Sequence, residues 1–313
     1  MPVNRNLIIL WLVCLILIIT AILYRLSGDY NNETNVDIDI EESANTNLPI
    51  ETSQVFYEVE KSDTKPETKI PVQKSPISAK AYLVGNVENG EVYQLRNRSM
   101  VLPVASMSKL ITAVESIDQF SITGTTTIAS STLIFPDSLQ YSEGEIFTIE
   151  EALYPLLVSS SNVIAEALAT TSSRSYFMDL MSSYAWEIGM PATYFADPSG
   201  ISPQNVSSAD DFFALAKYLY KLRPDILAIT RTPKYTLATT TEHGYHEIVS
   251  THPFVNEPDF IGGKTGRTPQ AKDTMLTILK IEDQPIAFIV LGSLDRKKDT
   301  LYLITETKKL LSK

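Results

Sequence analysis

Hydrophobic and polar positions divide the chain into three stretches. Leu7 to Tyr24 is a run of eighteen residues without a charge, flanked by Arg5 and Arg25. As a helix that run rises about 27 Å, close to the roughly 30 Å hydrocarbon thickness of a bilayer. Its exit, Ala21-Ile22-Leu23-Tyr24-Arg25, has no Ala-x-Ala pattern for cleavage, so 7–24 is expected to be an uncleaved transmembrane signal anchor. The short basic tail 1–6 is then cytoplasmic, and everything beyond residue 25 lies outside the cell membrane. Residues 25–76 are rich in Asn, Asp, Glu, Ser, Thr and Pro with no sustained period, which predicts a disordered acidic linker.

Regular periods begin at Ile77. Alternation predicts strands over 79–87 and 91–95, joined by a turn at Glu88-Asn89-Gly90. Leu110, Ile111, Val114 and Ile117 recur at helical spacing and predict a helix over 109–120. Thr148-Ile149-Glu150-Glu151 is a capping box that opens a helix running to Leu157. Helices follow over 162–170 and 173–188, and Ser208 caps another that ends before Pro224. Strands are predicted over 260–264, 274–281 and 286–291, the last two joined by a turn at Glu282-Asp283-Gln284-Pro285. Asp299 is expected to cap a terminal amphipathic helix. Strands at both ends with helices between them predict an α+β domain over 77–313, its terminal strands sharing one antiparallel sheet covered by helices.

Composition narrows the function. The formal net charge of −11 argues against nucleic acid as a partner. Much of that charge is local, since Asp29 to Glu60 holds nine carboxylates and no Lys or Arg. Cys14 is the only cysteine and lies in the apolar run, so the rest of the chain has no disulfide, thiol nucleophile or Cys-ligated metal. His243 and His246 have no carboxylate at helical spacing, and a solvent-exposed hairpin segment is expected there rather than a metal site.

Three short segments carry chemistry. Ser106-Met107-Ser108-Lys109 opens the first long helix, Ser160-Ser161-Asn162 links two helices, and Lys264-Thr265-Gly266 ends a strand. Positions i and i+3 share a helix face, so Ser106 and Lys109 can point into one cleft. A serine hydroxyl needs a base, and a lysine serves only if burial or another cation lowers its pKa; Lys264 is a candidate for that cation. Each segment is common alone, but the three in this order form the S-x-x-K, S-x-N and K-T-G set of penicillin-binding proteins and serine β-lactamases.

From about Ile77 onward the chain resembles the D-alanyl-D-alanine carboxypeptidases, the low-molecular-mass penicillin-binding proteins with a Ser-Lys dyad. The resemblance covers VLPVASMSKLITA, YPLLVSSSNVIAEALA, FADPSGISPQNVSSADDFF, FIGGKTGRTPQA and IAFIVLGSLDRKKDT. It implies a β-lactamase/DD-peptidase-like fold with an all-helical subdomain, no metal or cofactor, and no counterpart of the family's extra C-terminal β domain. By the same resemblance Ser106 is the acylated nucleophile, Lys109 its base, and Ser160 the proton donor to the leaving group. Asn162, Lys264, Thr265 and Gly266 line the substrate site. The backbone N–H groups of Ser106 and Arg267 form the oxyanion hole, and Arg296 adds charge for a substrate carboxylate. The implied substrate is a peptidoglycan pentapeptide, with β-lactams as covalent inhibitors.

Two departures stand out. Ser161 occupies a position where the family often has Gly, and residues 133–144 form a rim of the cleft with no assigned contact. Asp197-Pro198-Ser199-Gly200 reads as a structural turn. A DD-endopeptidase, a class A-like β-lactamase and a non-catalytic penicillin or wall-peptide sensor stay open as alternatives. The β-lactamase would need a deacylating glutamate, and neither Glu166 nor Glu187 sits in a Glu-x-x-Leu-Asn context.

Overall fold

The computed structural model describes residues 76–137 and 140–312. The expected tail 1–6, membrane span 7–24 and nearly all of the linker 25–76 lie outside the described residues. Among the described residues no helix is long and apolar enough to cross a membrane.

Alternation along the strands builds the centre. β1 (Ala81–Asn86), β2 (Val92–Arg96), β9 (Phe260–Thr268), β10 (Lys272–Ile281) and β11 (Gln284–Ser293) form one antiparallel sheet in the order β2-β1-β11-β10-β9. The N-terminal hairpin therefore pairs directly with the last strand, Ala81 opposite Leu291 and Asn86 opposite Ile286. On β11, Ala287, Ile289 and Leu291 join one hydrophobic core, while Ile286, Phe288 and Val290 join another on the opposite face. A strand buried on both faces reads as a continuous apolar run, as this one does.

Between the sheet's two halves lie β3 (Leu102–Pro103), α1 (Lys109–Phe120), β4 (Thr125–Thr127), β5 (Ile146–Thr148), α2 (Ile149–Tyr154), α3 (Asn162–Thr170) and α4 (Arg174–Glu187). They are followed by β6 (Val206–Ser207), α5 (Ala209–Leu222), α6 (Pro224–Thr230) and the hairpin of β7 (Lys234–Leu237) and β8 (His246–Val249). Their apolar faces pack on one side of the sheet. α7 (Arg296–Leu311) covers the other side through Leu303.

Local signals placed most boundaries. The capping box at Thr148 is formed in both directions, and Ser208 accepts from the Asp211 N–H at the start of α5. The Glu282-Asp283 turn has φ of 47° and 62°, the left-handed pair that a two-residue hairpin needs.

Three expectations are corrected. α2 stops at Tyr154 and passes into a π turn, Pro155–Ser159, instead of continuing to Leu157. Lys264-Thr265-Gly266 lies within β9, which runs on to Thr268. Asp295, not Asp299, caps α7, accepting from the Lys298 N–H. Asp299 is buried and accepts from Ser78 N at 2.9 Å, Ala79 N at 2.8 Å and Ser293 Oγ at 2.6 Å, fastening the start of the domain to the end of the sheet.

Candidate active site

The cleft is assembled from three backbone irregularities. Ser106 lies on a 3-10 turn, Ala105–Ser108, one turn before α1, and Ala105 enters it with φ of 50°. A non-glycine residue in the left-handed region costs roughly 1–2 kcal/mol, which the surrounding contacts must hold in place. Thr274 of β10 donates to Val104 O at 2.9 Å on one side. On the other, a Cβ at Gly200 would come within 2.0 Å of Ala105 O, so only glycine fits. The glycine of the third motif has a similar reason, since a Cβ at Gly266 would meet Val104 O at 2.8 Å.

The second motif is set by the π turn. It ends at Ser160 in the left-handed region, φ 68° and ψ 37°, and Ser161 then caps α3 by accepting from Ile164 N. This reversal brings Ser160 and Asn162 to the cleft side by side. Ser106, Ser160 and Asn162 are half-buried, whereas Lys109 and Lys264 are fully buried.

The amine of Lys109 is the hub. Nζ lies 3.0 Å from Ser106 Oγ, 2.8 Å from Asn162 Oδ1 and 2.5 Å from Ser199 O. Lys264 Nζ donates to Ser160 Oγ at 2.9 Å and to Thr265 O at 3.1 Å. Thr265 Oγ1 meets Thr251 Oγ1 at 3.0 Å. The structure thus brings Ser106, Lys109, Ser160, Asn162, Lys264 and Thr265 into one cleft, with Lys264 meeting the second serine.

Burial lowers both amines. Removal from water brings Lys109 down to about 7, against the opposing pull of Asp197, Asp137 and Glu166. Lys264 is held well below its ordinary value, first by burial and then by the charges of Lys109 and Arg296. Burial is thus the first cause of the lowering at both amines, and their mutual repulsion adds to it at Lys264.

The two arginines are engaged with protein groups. Arg267 forks onto Asp273, Nε to Oδ1 at 2.5 Å and Nη2 to Oδ2 at 2.8 Å. Arg296 Nη1 donates to Gly266 O at 2.9 Å and lies 3.3 Å from Asp273 Oδ1. Asp273 thereby ties both arginines to β10, the strand beside the one that carries the third motif.

Sequence reasoning missed two contributors. Ser199 supplies its carbonyl to Lys109, and Asp197 fixes that loop by accepting from the backbone N–H groups of Ser199, Gly200 and Ser202. An Asp-Pro-Ser-Gly turn signals a bend, but nothing in it signals that its carbonyl meets a residue 90 positions earlier. Asp137 of the rim is the other: its Oδ2 accepts from Ser161 Oγ at 2.5 Å and Asn162 N at 2.9 Å.

The histidines are not exposed, which corrects the sequence expectation. His243 and His246 are buried, His243 stacks on Phe147 at 4.8 Å, and His246 Nε2 lies 3.1 Å from Glu145 Oε1. The ring and carboxylate come from the segment around β5, about a hundred positions earlier, a pairing that local spacing does not reveal. Among the described residues no group of three or more His, Cys, Asp or Glu is placed to hold a metal ion.

A family model described as D-alanyl-D-alanine carboxypeptidase matches residues 67–294. A D-alanyl-D-alanine endopeptidase of Pseudomonas aeruginosa is 28% identical over 73% of this chain and 75% of its own length. The D-alanyl-D-alanine carboxypeptidase DacB2 of Mycobacterium tuberculosis is 24% identical, covering 69% of this chain and 74% of its own. Among solved structures, penicillin-binding protein D2 of Listeria monocytogenes in its ampicillin-bound form superposes with a TM-score of 0.63 at 26% identity. It covers 74% of this chain and 96% of that one.

Proposed function

Because the chain belongs to the D-alanyl-D-alanine carboxypeptidase family of serine peptidases, we propose that it removes the terminal D-alanine of peptidoglycan pentapeptides through an acyl-enzyme on Ser106. One observation carries this reading: a fully buried amine, lowered to about 7, stands 3.0 Å from a half-buried serine hydroxyl.

The geometry supports one path for the proton. A neutral lysine amine keeps two N–H bonds and one lone pair. Asn162 Oδ1 and Ser199 O accept the two hydrogens, which turns the lone pair of Lys109 toward Ser106 Oγ. Lys109 takes the hydroxyl proton as Ser106 Oγ attacks the carbonyl carbon of the penultimate D-alanine. The oxyanion that forms faces the backbone N–H groups of Ser106 and Arg267. The C–N bond then breaks as Ser160, hydrogen-bonded to Lys264, delivers its proton to the departing amine and takes in its place the proton that Lys109 acquired, which leaves Ser160 a hydroxyl and Lys109 neutral. Thr265, Gly266 and Arg296 form the end of the cleft that receives the terminal carboxylate. Neutral Lys109 then deprotonates water as it attacks the ester carbonyl, and returns that proton to Ser106 Oγ as the ester C–O bond breaks.

β-Lactams resemble the substrate amide and acylate the same serine; the ampicillin-bound relative supports this. Rapid drug hydrolysis is disfavoured, because Glu166 on α3 is held by Arg174 at 2.7 and 3.0 Å and has no free role as a water-activating base. The endopeptidase name of the Pseudomonas aeruginosa relative favours cleavage of cross-bridges as the second reading. The apolar run 7–24 supports a single-pass membrane protein with its catalytic domain outside the cytoplasm.

Incubation with a pentapeptide and with a cross-linked muropeptide dimer, followed by mass spectrometry, tests the substrate. Loss of one D-alanine from the pentapeptide is expected, and none with Ser106→Ala. Cleavage of the dimer alone would replace the carboxypeptidase reading with the endopeptidase one. Labelling by penicillin with neither peptide cut would leave a sensor.

A further inference from the structure

Asp137, on the rim of the cleft, is bonded to the second motif. Asp137 Oδ2 accepts from Ser161 Oγ at 2.5 Å, from Asn162 N at 2.9 Å and from Val163 N at 3.4 Å. Ser161 Oγ in turn accepts from Ile164 N at 3.2 Å, so carboxylate and hydroxyl together satisfy the first N–H groups of α3. A carboxylate at a helix N-terminus is also favoured by the helix dipole. From Asp137 a short path leads to the nucleophile: Asn162 N, then Asn162 Oδ1 at 2.8 Å from Lys109 Nζ, then Ser106 Oγ at 3.0 Å.

We propose that Asp137 is a positioning residue for acyl transfer, its carboxylate bracing the first turn of α3 and so holding the Asn162 amide against Lys109. The proposal rests on the acyl-transfer reading of Ser106. It accounts for the departure at Ser161: a glycine there has no hydroxyl to bridge Asp137 to the Ile164 N–H.

The carboxylate has a second effect, through charge. Asp197 of the loop after α4, Asp137 of the rim and Glu166 of α3 all favour the charged form of Lys109. Glu166 is paired with Arg174, and Lys264 of β9 is the neighbouring cation. Loss of the Asp137 charge removes one of three supports for protonated Lys109, so Lys109 becomes neutral at a lower pH.

The test is the second-order rate of acylation by a fluorescent penicillin across pH, with full-length Asp137→Ala, Asp137→Asn and Ser161→Gly, each checked by thermal unfolding. Asp137→Ala is expected to lower the plateau rate roughly tenfold to a hundredfold. Asp137→Asn keeps an acceptor oxygen and regains most of that plateau, while in both variants the acid limb moves to lower pH. Ser161→Gly lowers the plateau with the limb unmoved, because the charge is kept. A general structural defect would not separate plateau from limb in this way. Folded variants with the wild-type plateau and limb overturn the proposal, and if Asp137→Ala does not fold the other two decide it. No labelling of the wild type would instead remove the reading of Ser106 itself.

Discussion

Lys109 is the base in the proposed mechanism because its neighbours leave its lone pair one direction free. Two of its contacts are carbonyl oxygens, of Asn162 and Ser199, which only accept; the third is the hydroxyl of Ser106. An arginine at this position stays protonated at any working pH and cannot act as the base. Lys109→Arg is therefore expected to lower acylation by about 10²–10⁴-fold, measured with labelled penicillin. Wild-type rates should depend on one proton. Acylation needs the neutral amine, so the rate falls about tenfold per pH unit below about 7 and levels above it. A rate constant that stays flat from pH 5 to 8 would contradict the assignment. At this scale the sequence was informative about residue type and silent about partners. Ser106, Lys109, Ser160 and Lys264 were legible because i,i+3 spacing and three ordered motifs restrict them. Ser199 and Asp137 were not, since their roles exist only through contacts 90 and 25 positions away.

Elements position these groups through their irregular ends. α1, α3 and α5 were legible to within a residue because capping and helical periodicity are local. The π turn before Ser160 was not, since an apolar run at helical spacing does not reveal where the hydrogen-bond pattern widens. β9 is supported from behind by His252. Its ring lies 4.5 Å from that of Phe260, its Nε2 lies 3.1 Å from Leu276 O, and a Cβ at Gly263 would meet Nε2 at 2.9 Å. Burial pushes His252 down to about 3 from 6.5. The unfolded chain then binds a proton that the native one refuses between those values. Stability from this group is complete above 6.5 and is lost as pH falls toward 3. In urea unfolding, the wild type should lose about 1.4 kcal/mol per pH unit more than His252→Gln within that window. Equal slopes would mean that His252 is protonated in the native state.

At the scale of the whole molecule, the sheet joins both ends of the catalytic region. Ala81 opposite Leu291 and the Asp299 clasp on Ser78 and Ala79 fasten the start of the described residues to the end of the sheet. That pairing of terminal strands followed from the order of elements and the family resemblance, while the clasp did not, because an Asp near a helix start reads first as a cap. Residues 70–313 expressed alone are therefore expected to fold and to be acylated at the full-length rate, with thermal unfolding as the check. If the apolar run at 7–24 is the proposed anchor, the full chain should partition with membranes after an alkaline wash while 70–313 does not. A full chain released by that wash would remove the anchor from the account.

Every step of the proposed reaction passes through an ester on Ser106. Its most direct test is peptide mapping by mass spectrometry after a brief incubation with penicillin at neutral pH. One adduct of the drug's mass is expected on the peptide containing Ser106-Met107-Ser108-Lys109, and none in Ser106→Ala. An adduct on any other residue, or none on a folded protein, would contradict it.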